Sequence, residues 1–228
     1  MAAPVDLPTV TTPTISLADG SGRFQIRRVF CVGQNYADHA REMGGDPERR
    51  EPFFFSKPAD AVVGSGSTLP FPPRTEDLHH EVELVLALGR GGSGVDAADA
   101  LDLILGCAVG VDLTRRDLQA AAKQAGRPWD MAKGFDRSAP VGPLVRGRPP
   151  VEGRISLSVD GVIRQDGRLS DMIWSPAEII ATLSTYVELA PGDLVFTGTP
   201  AGVGPLNRGE RVIAEIEGMS PLTFDIGR

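Results

Sequence analysis

Cysteine is scarce in this chain: Cys31 and Cys107 are the only two among 228 residues. No Cys-x-x-Cys occurs. A disulfide framework or a thiolate metal site needs more than this. Each cysteine therefore reads as a small apolar residue inside a strand-like run. Long apolar runs are missing too. No stretch approaches the roughly 18 residues a membrane helix needs, so no membrane partner is expected. The N-terminus lacks a basic segment followed by an apolar core, so no secretory signal is read and a cytoplasmic location is expected. Positive charge is in deficit. Lys and Arg number 23 against 30 Asp and Glu, leaving a net charge of −7 and a pI near 5.0. That balance argues against nucleic acid as a partner. It leaves room for an anionic small molecule, because a local site can oppose the global charge. Internal repeats and low-complexity tracts are absent.

What the chain does have is glycine (27) and proline (19), spread along its length between short apolar runs. With 41% apolar and 23% charged residues, this describes a globular domain of many short strands joined by tight turns. Few helices are marked, so the expected fold class is α+β with a mixed sheet. Residues 1–22 lack periodicity and are expected as a loosely ordered N-terminal lead-in or a strand-poor cap; residues 23–228 are expected as a single domain. The pattern predicts a strand over 24–33 and a short helix over 34–43 with Asn35 as N-cap and Gly44-Gly45 as the stop. A polar segment follows over 46–51, then a short apolar run over 52–57. Residues 96–105 fit a short amphipathic helix, and 106–112 a strand buried on both faces. Thr114 and Asp117 resemble a capping box opening a helix that stops at Gly126. Asp160-Gly161 marks a type I′ hairpin turn within 155–165. Ser175, Pro176 and Glu178 open the best-marked helix. A strand over 194–197 leads into a glycine-rich loop, and 211–216 with 222–226 close the chain as a hairpin.

The stretch from Leu78 to Leu88 carries the chemistry most plainly. Val82, Leu84, Leu86 and Leu88 lie on one side of a period-2 strand. Glu81 and Glu83 lie on the other, roughly 6–7 Å apart, followed by Val85 and Ala87. Two carboxylates beside a buried strand need a partner or a cation. Asp112, at the end of a wholly apolar strand, adds a third. Together they make an oxygen-only set that suits Mg²⁺, Mn²⁺ or Ca²⁺ better than Zn²⁺. Ion pairing with Arg115 or Arg116 is the competing reading, and spacing does not separate the two.

Other groups stay open on the same footing. His39 and Glu42, at i and i+3, share a helix face; they form either a carboxylate-oriented general base or an exposed surface pair. His79 and His80 point to opposite sides of a strand, so at most one enters a site. Residues 198–204, Gly-Thr-Pro-Ala-Gly-Val-Gly, match neither a P-loop nor a dinucleotide fingerprint. Their N–H groups either present themselves to an anion or simply turn the chain. Lys57 and Lys133 either bind a substrate carboxylate or snorkel at the surface.

In their order along the chain, Val32-Gly33-Gln34-Asn35-Tyr36-Ala37-Asp38-His39-Ala40, Phe55-Ser56-Lys57-Pro58, Leu78-His79-His80-Glu81-Val82-Glu83-Leu84, Asp112-Leu113-Thr114-Arg115-Arg116-Asp117-Leu118-Gln119, Lys133-Gly134-Phe135 and residues 197–204 resemble the fumarylacetoacetate hydrolase superfamily. Residues 35–43 and 52–60 resemble most its acylpyruvase branch, in particular bacterial fumarylpyruvate hydrolases. The resemblance implies a mixed β-sandwich roll of the C-terminal-domain type, as a homodimer. Glu81, Glu83 and Asp112 would hold Mg²⁺ or Mn²⁺, with Ca²⁺ as a substitute. His39 and Glu42 would activate water from a lid over about 34–51, and Lys133 would assist catalysis. Arg116, Gln119, Thr199 and Lys57 would contact substrate. The implied reaction is C–C hydrolysis of a 2,4-dioxo acid, most like fumarylpyruvate giving fumarate and pyruvate in gentisate-type aromatic catabolism. Broader acylpyruvate hydrolysis, oxaloacetate decarboxylation, keto-acid isomerisation and ligand binding without turnover are the alternatives.

Overall fold

The computed structural model describes residues 11–42 and 51–228. Its spine is an eight-stranded mixed sheet. Seven strands lie side by side in the order Phe53–Lys57, Arg28–Gly33, Asp193–Phe196, Val82–Leu88, Ile104–Val111, Ala139–Val141 and Val62–Gly64; Val145–Arg146 pairs separately with Ile104–Val111. A five-stranded sheet, Val162–Arg168, Arg154–Val159, Arg211–Ile216, Leu222–Ile226 and Ser67–Leu69, packs against one face. A small three-stranded sheet joins Thr114–Arg115, Leu78–His80 and Gly204–Leu206. The expected α+β roll is observed.

Strand Val82–Leu88 lies at the centre and is buried at every position. Its alternation feeds two cores. Leu84, Leu86 and Leu88 meet Leu157, Ala214, Phe224 and the Ile179, Ile180 and Leu183 face of helix Pro176–Tyr186. Val85 and Ala87 meet Ala108, Phe196, Ile15 and Leu17 in a second cluster. A fully buried aliphatic side chain contributes about 1.5–3 kcal/mol, so both faces of this one strand help anchor the domain. Cys31 and Cys107 are buried and unpaired.

Several expected features hold. Asp160 (φ 48°) and Gly161 (φ 79°) both adopt positive φ, as a type I′ turn requires. Ser175 and Glu178 complete a capping box on Pro176–Tyr186. Other expectations change. The helix expected over 96–105 is reduced to Ala97–Ala100 and a tighter turn over Leu101–Leu103, and strand Ile104–Val111 takes the rest. The lead-in is not loose over 14–17: Thr14–Ser16 pairs with Arg23–Gln25, and Ile15 and Leu17 are buried over the second core. Burial of those two side chains outweighs the missing periodicity. Thr114 does not cap a helix. It sits in a strand and the helix begins at Arg116, because Asp117 binds Thr75 Oγ1 (2.6 Å) and the Glu76 N–H (3.1 Å) instead. Asn35 caps nothing either: its amide binds the Trp174 and Thr197 carbonyls at 2.9 and 2.8 Å, and its oxygen accepts the Trp174 N–H at 2.7 Å. The helix of that segment spans Ala37–Glu42, and the expected remainder of the lid, 43–50, lies outside the described residues. Among the described residues no helix is long and apolar enough to cross a membrane.

Candidate active site

The chain breaks its strand at Glu81, between Leu78–His80 and Val82–Leu88. Glu83 pairs with Gly110 across the sheet, and the Asp112 N–H donates to the Glu81 carbonyl at 2.8 Å. This register brings three carboxylates to one end of two neighbouring strands. One oxygen from each of Glu81, Glu83 and Asp112 lies within 4.8 Å of the others, and all three residues are buried.

Cations surround two of them. Lys133 Nζ donates to Glu81 Oε2 at 2.8 Å and to Asp112 Oδ2 at 2.7 Å. Arg116 pairs with Glu81 Oε1, and Lys57 lies 2.7 Å from Asp112 Oδ1. Burial works against ionisation of Glu81, but Lys133 and Arg116 outweigh it and hold its carboxyl well below the usual range. Lys133 is likewise pushed up, Asp112 and Glu81 outweighing the cost of burial. Glu83 has no ion pair among the described residues. Its Oε2 accepts the Gly198 N–H at 2.6 Å. Burial, and then the charges of Asp112 and Glu81, push it well above the carboxylate range despite that hydrogen bond. A buried carboxyl in this state needs a proton or a cation. The donor set, three buried carboxylates without sulfur or imidazole, fits a hard divalent ion. Ion pairing and the carboxylate cluster coexist here: Arg116 and Lys133 engage the two Glu81 oxygens, and one oxygen of each triad residue still lies within 4.8 Å of the others.

A cavity opens beside this triad, about 470 Å³ including its mouth. Glu81, Glu83, His39, Arg116, Gln119, Lys133 and Thr199 line it, with an aromatic wall of Phe53, Phe55 and Trp129. His39 is 5% exposed and its Nδ1 stands 3.2 Å from Glu42 Oε2. Glu42 in turn accepts the Gly202 N–H at 3.2 Å. Two N–H groups of the glycine-rich loop are taken up by the chain's own carboxyl groups: Gly198 donates to Glu83 and Gly202 to Glu42. Arg116 also donates to Gln119 Oε1, fixing that amide on the cavity wall.

Lys57 is placed differently from expectation. Its side chain has no exposed surface; it binds Asp112 and the Leu113 and Lys133 carbonyls behind the cavity. Neither histidine of the 79–80 pair enters. His79 bridges Asp77 and Arg116, and His80 binds Gln165. The residues that sequence reasoning passed over are the aromatic wall, Lys123 at the cavity mouth, and Gln165. Lys123 had a signal: Arg116, Gln119 and Lys123 recur at helical spacing and share one face. Gln165 had none.

The profile of the family "Fumarylacetoacetate (FAA) hydrolase C-terminal" matches residues 28–226. A fumarylpyruvate hydrolase of Pseudomonas aeruginosa, solved with Mn²⁺ and pyruvate, superposes with a TM-score of 0.94 at 48% identity, covering 98% of this chain and 99% of that one. A fumarylpyruvate hydrolase of Ralstonia sp is 42% identical over 80% of this chain and 96% of its own length. A mitochondrial oxaloacetate tautomerase of Arabidopsis thaliana is 41% identical over 88% of this chain and 91% of its own. The chain belongs to the fumarylacetoacetate hydrolase family.

Proposed function

We propose that this protein is a divalent-metal-dependent hydrolase of the C–C bond in 2,4-dioxo acids, with fumarylpyruvate as its substrate and fumarate and pyruvate as products. The observation that carries the reading is the His39–Glu42 pair held over the carboxylate triad. A bound Mg²⁺ or Mn²⁺, held by Glu81, Glu83 and Asp112, would chelate the 2-oxo acid end and lower the energy of the departing enolate.

The chain's own groups supply the rest. With Nδ1–H donated to Glu42, the other ring nitrogen of His39 is left to take a proton from water. The hydroxide so formed adds to the distal carbonyl. Lys133, whose raised pKa keeps it an ammonium, stabilises the oxygen charge that develops. The C3–C4 bond then breaks, its electron pair passing to the pyruvate enolate. The proton held by His39 completes pyruvate at C3. Thr199 holds the carboxylate at the near end. We assign Lys57 to fixing Asp112 rather than to substrate.

Charge supports an anionic substrate. With a divalent ion bound, Lys57, Lys133 and Arg116 would balance the ionised carboxylates of Glu81, Glu83 and Asp112, and the ion's charge, less that of Glu42 beside His39, would leave the site positive. Seven residues along the helix from Arg116, a rise of about 10.5 Å, Lys123 offers an ammonium to a distal carboxylate. The protein would act in the cytoplasm as a homodimer.

Identity to oxaloacetate tautomerases supports a second reading, proton transfer on oxaloacetate, which needs no water attack. A product assay separates them: fumarylpyruvate should give equimolar fumarate and pyruvate only with metal present. Turnover of oxaloacetate alone would replace the first reading with the second.

A further inference from the structure

Gln165 is completely buried on the Val162–Arg168 strand, opposite Leu157, and uses both ends of its amide. Its Oε1 accepts the Val82 N–H at 3.1 Å and meets His80 Nδ1 at 2.9 Å. Its Nε2 donates to Thr199 Oγ1 at 2.8 Å and to the Pro200 carbonyl at 2.9 Å. The orientation is forced. A backbone N–H can only donate and a carbonyl can only accept, so oxygen must face Val82 and nitrogen must face Pro200. Two consequences follow. His80 must donate through Nδ1, since Oε1 is an acceptor. Thr199 must accept from Gln165, so its own proton turns elsewhere, and Thr199 lines the cavity.

We infer that Gln165 is a positioning residue that fixes the Thr199 hydroxyl as a hydrogen-bond donor toward the carboxylate of a bound 2-oxo acid. The same amide ties Val82, between the ligands Glu81 and Glu83, to the loop whose Gly198 N–H holds Glu83. The near end of the substrate and the carboxylate triad are thereby held in one register. This rests on reading the cavity as a 2-oxo acid site.

In its ionised form Gln165→Glu keeps the size and both acceptor contacts but has no donor, so the comparison is made above the pH at which this buried carboxyl gives up its proton. The new carboxylate draws the Thr199 proton to itself and turns a lone pair into the cavity. The test is pyruvate binding to the Mn²⁺-loaded full chain by calorimetry, beside Mn²⁺ binding alone. Gln165→Glu should weaken pyruvate by about tenfold, the loss of one hydrogen bond to a charged group, with Mn²⁺ affinity changed far less. KM for fumarylpyruvate should rise more than kcat falls. Thr199→Val should weaken pyruvate to the same degree, Thr199→Ser should restore it, and adding Gln165→Glu to Thr199→Val should cost nothing further. Pyruvate binding at wild-type strength in folded Gln165→Glu, or effects that add in the double variant, would overturn the inference. If Gln165→Glu does not fold, Gln165→Met carries the comparison: it should give a smaller loss by itself, and adding it to Thr199→Val should cost nothing further. Wild-type protein that binds no pyruvate would overturn the site reading itself, a result distinct from either outcome for Gln165.

Discussion

The carboxylate of Glu42 accepts the backbone N–H of Gly202 at 3.2 Å while standing 3.2 Å from His39 Nδ1. The glycine-rich loop thus holds the proposed water-activating pair at one end and, through Gly198, the candidate metal ligand Glu83 at the other. Two groups more than forty residues apart in sequence are set by one short loop. In an account where His39 is the base, His39→Ala should lower kcat for fumarylpyruvate by roughly 10²–10⁴-fold. Mn²⁺ binding, measured by calorimetry, should survive. Near-normal hydrolysis would remove His39 from the chemistry.

Gly202 itself is constrained. Its φ is +93°, and a Cβ there would fall 2.3 Å from the Arg164 carbonyl oxygen. Gly202→Ala must shift the loop and lengthen the bond to Glu42. The expected result is a kcat loss of at least about tenfold, with a stability loss of about 1–3 kcal/mol from backbone strain. Steady-state kinetics and chemical denaturation check the two parts separately.

Metal binding should release a proton. Glu83 sits well above the usual carboxylate range because it is buried beside Asp112 and Glu81. The metal-free site therefore keeps a proton that an ordinary glutamate has already lost, and a cation must displace it. Mn²⁺ affinity should rise with pH until Glu83 ionises unaided. Calorimetry in buffers of different ionisation enthalpy reads the released proton directly. A carboxyl with a raised folded pKa stabilises the fold below its unfolded pKa and loses that contribution as pH climbs through the folded value. Glu83→Gln should raise the thermal midpoint of metal-free protein at neutral pH and abolish the upward shift caused by Mn²⁺.

How much of this was legible beforehand follows from how local each signal is. The alternation of Val82, Leu84, Leu86 and Leu88, the Asp160-Gly161 turn and the Ser175 cap are set by neighbours in sequence, and each is found in place. The roles of Thr114, Asn35 and Lys57 depend on groups far along the chain. Lys57 points inward because strand Phe53–Lys57 pairs with Arg28–Gly33 and ends beside Asp112. Gln165 lies in a polar run, Arg-Gln-Asp-Gly, that resembles any exposed hairpin arm. Its burial is set by groups distant in sequence, His80 and Val82 on one side and Thr199 and Pro200 on the other.

Lys123 offers a test of substrate choice. Lys123→Met should raise KM for fumarylpyruvate roughly two- to fivefold, as for a solvent-accessible ion pair. An acylpyruvate with an uncharged acyl group should be unaffected. Equal effects on both substrates would remove Lys123 from recognition of the distal carboxylate.

Away from the site, Asp193 is fully buried and accepts from Arg27, Arg28 and the Ala190 N–H. It joins the start of strand Asp193–Phe196 to that of Arg28–Gly33. Asp193→Ala should cost about 1.5–3 kcal/mol in urea denaturation, the value of hydrogen bonds to a charged group. Both arginines are partly exposed and regain water, which keeps the loss below that of a fully buried pair.

The most direct measurement is a product assay on purified full-length protein with fumarylpyruvate and Mn²⁺, repeated after chelation. Fumarate and pyruvate should appear in equal amounts, and both should vanish with the metal. Unchanged fumarylpyruvate, beside active conversion of oxaloacetate by the same sample, would contradict the assignment.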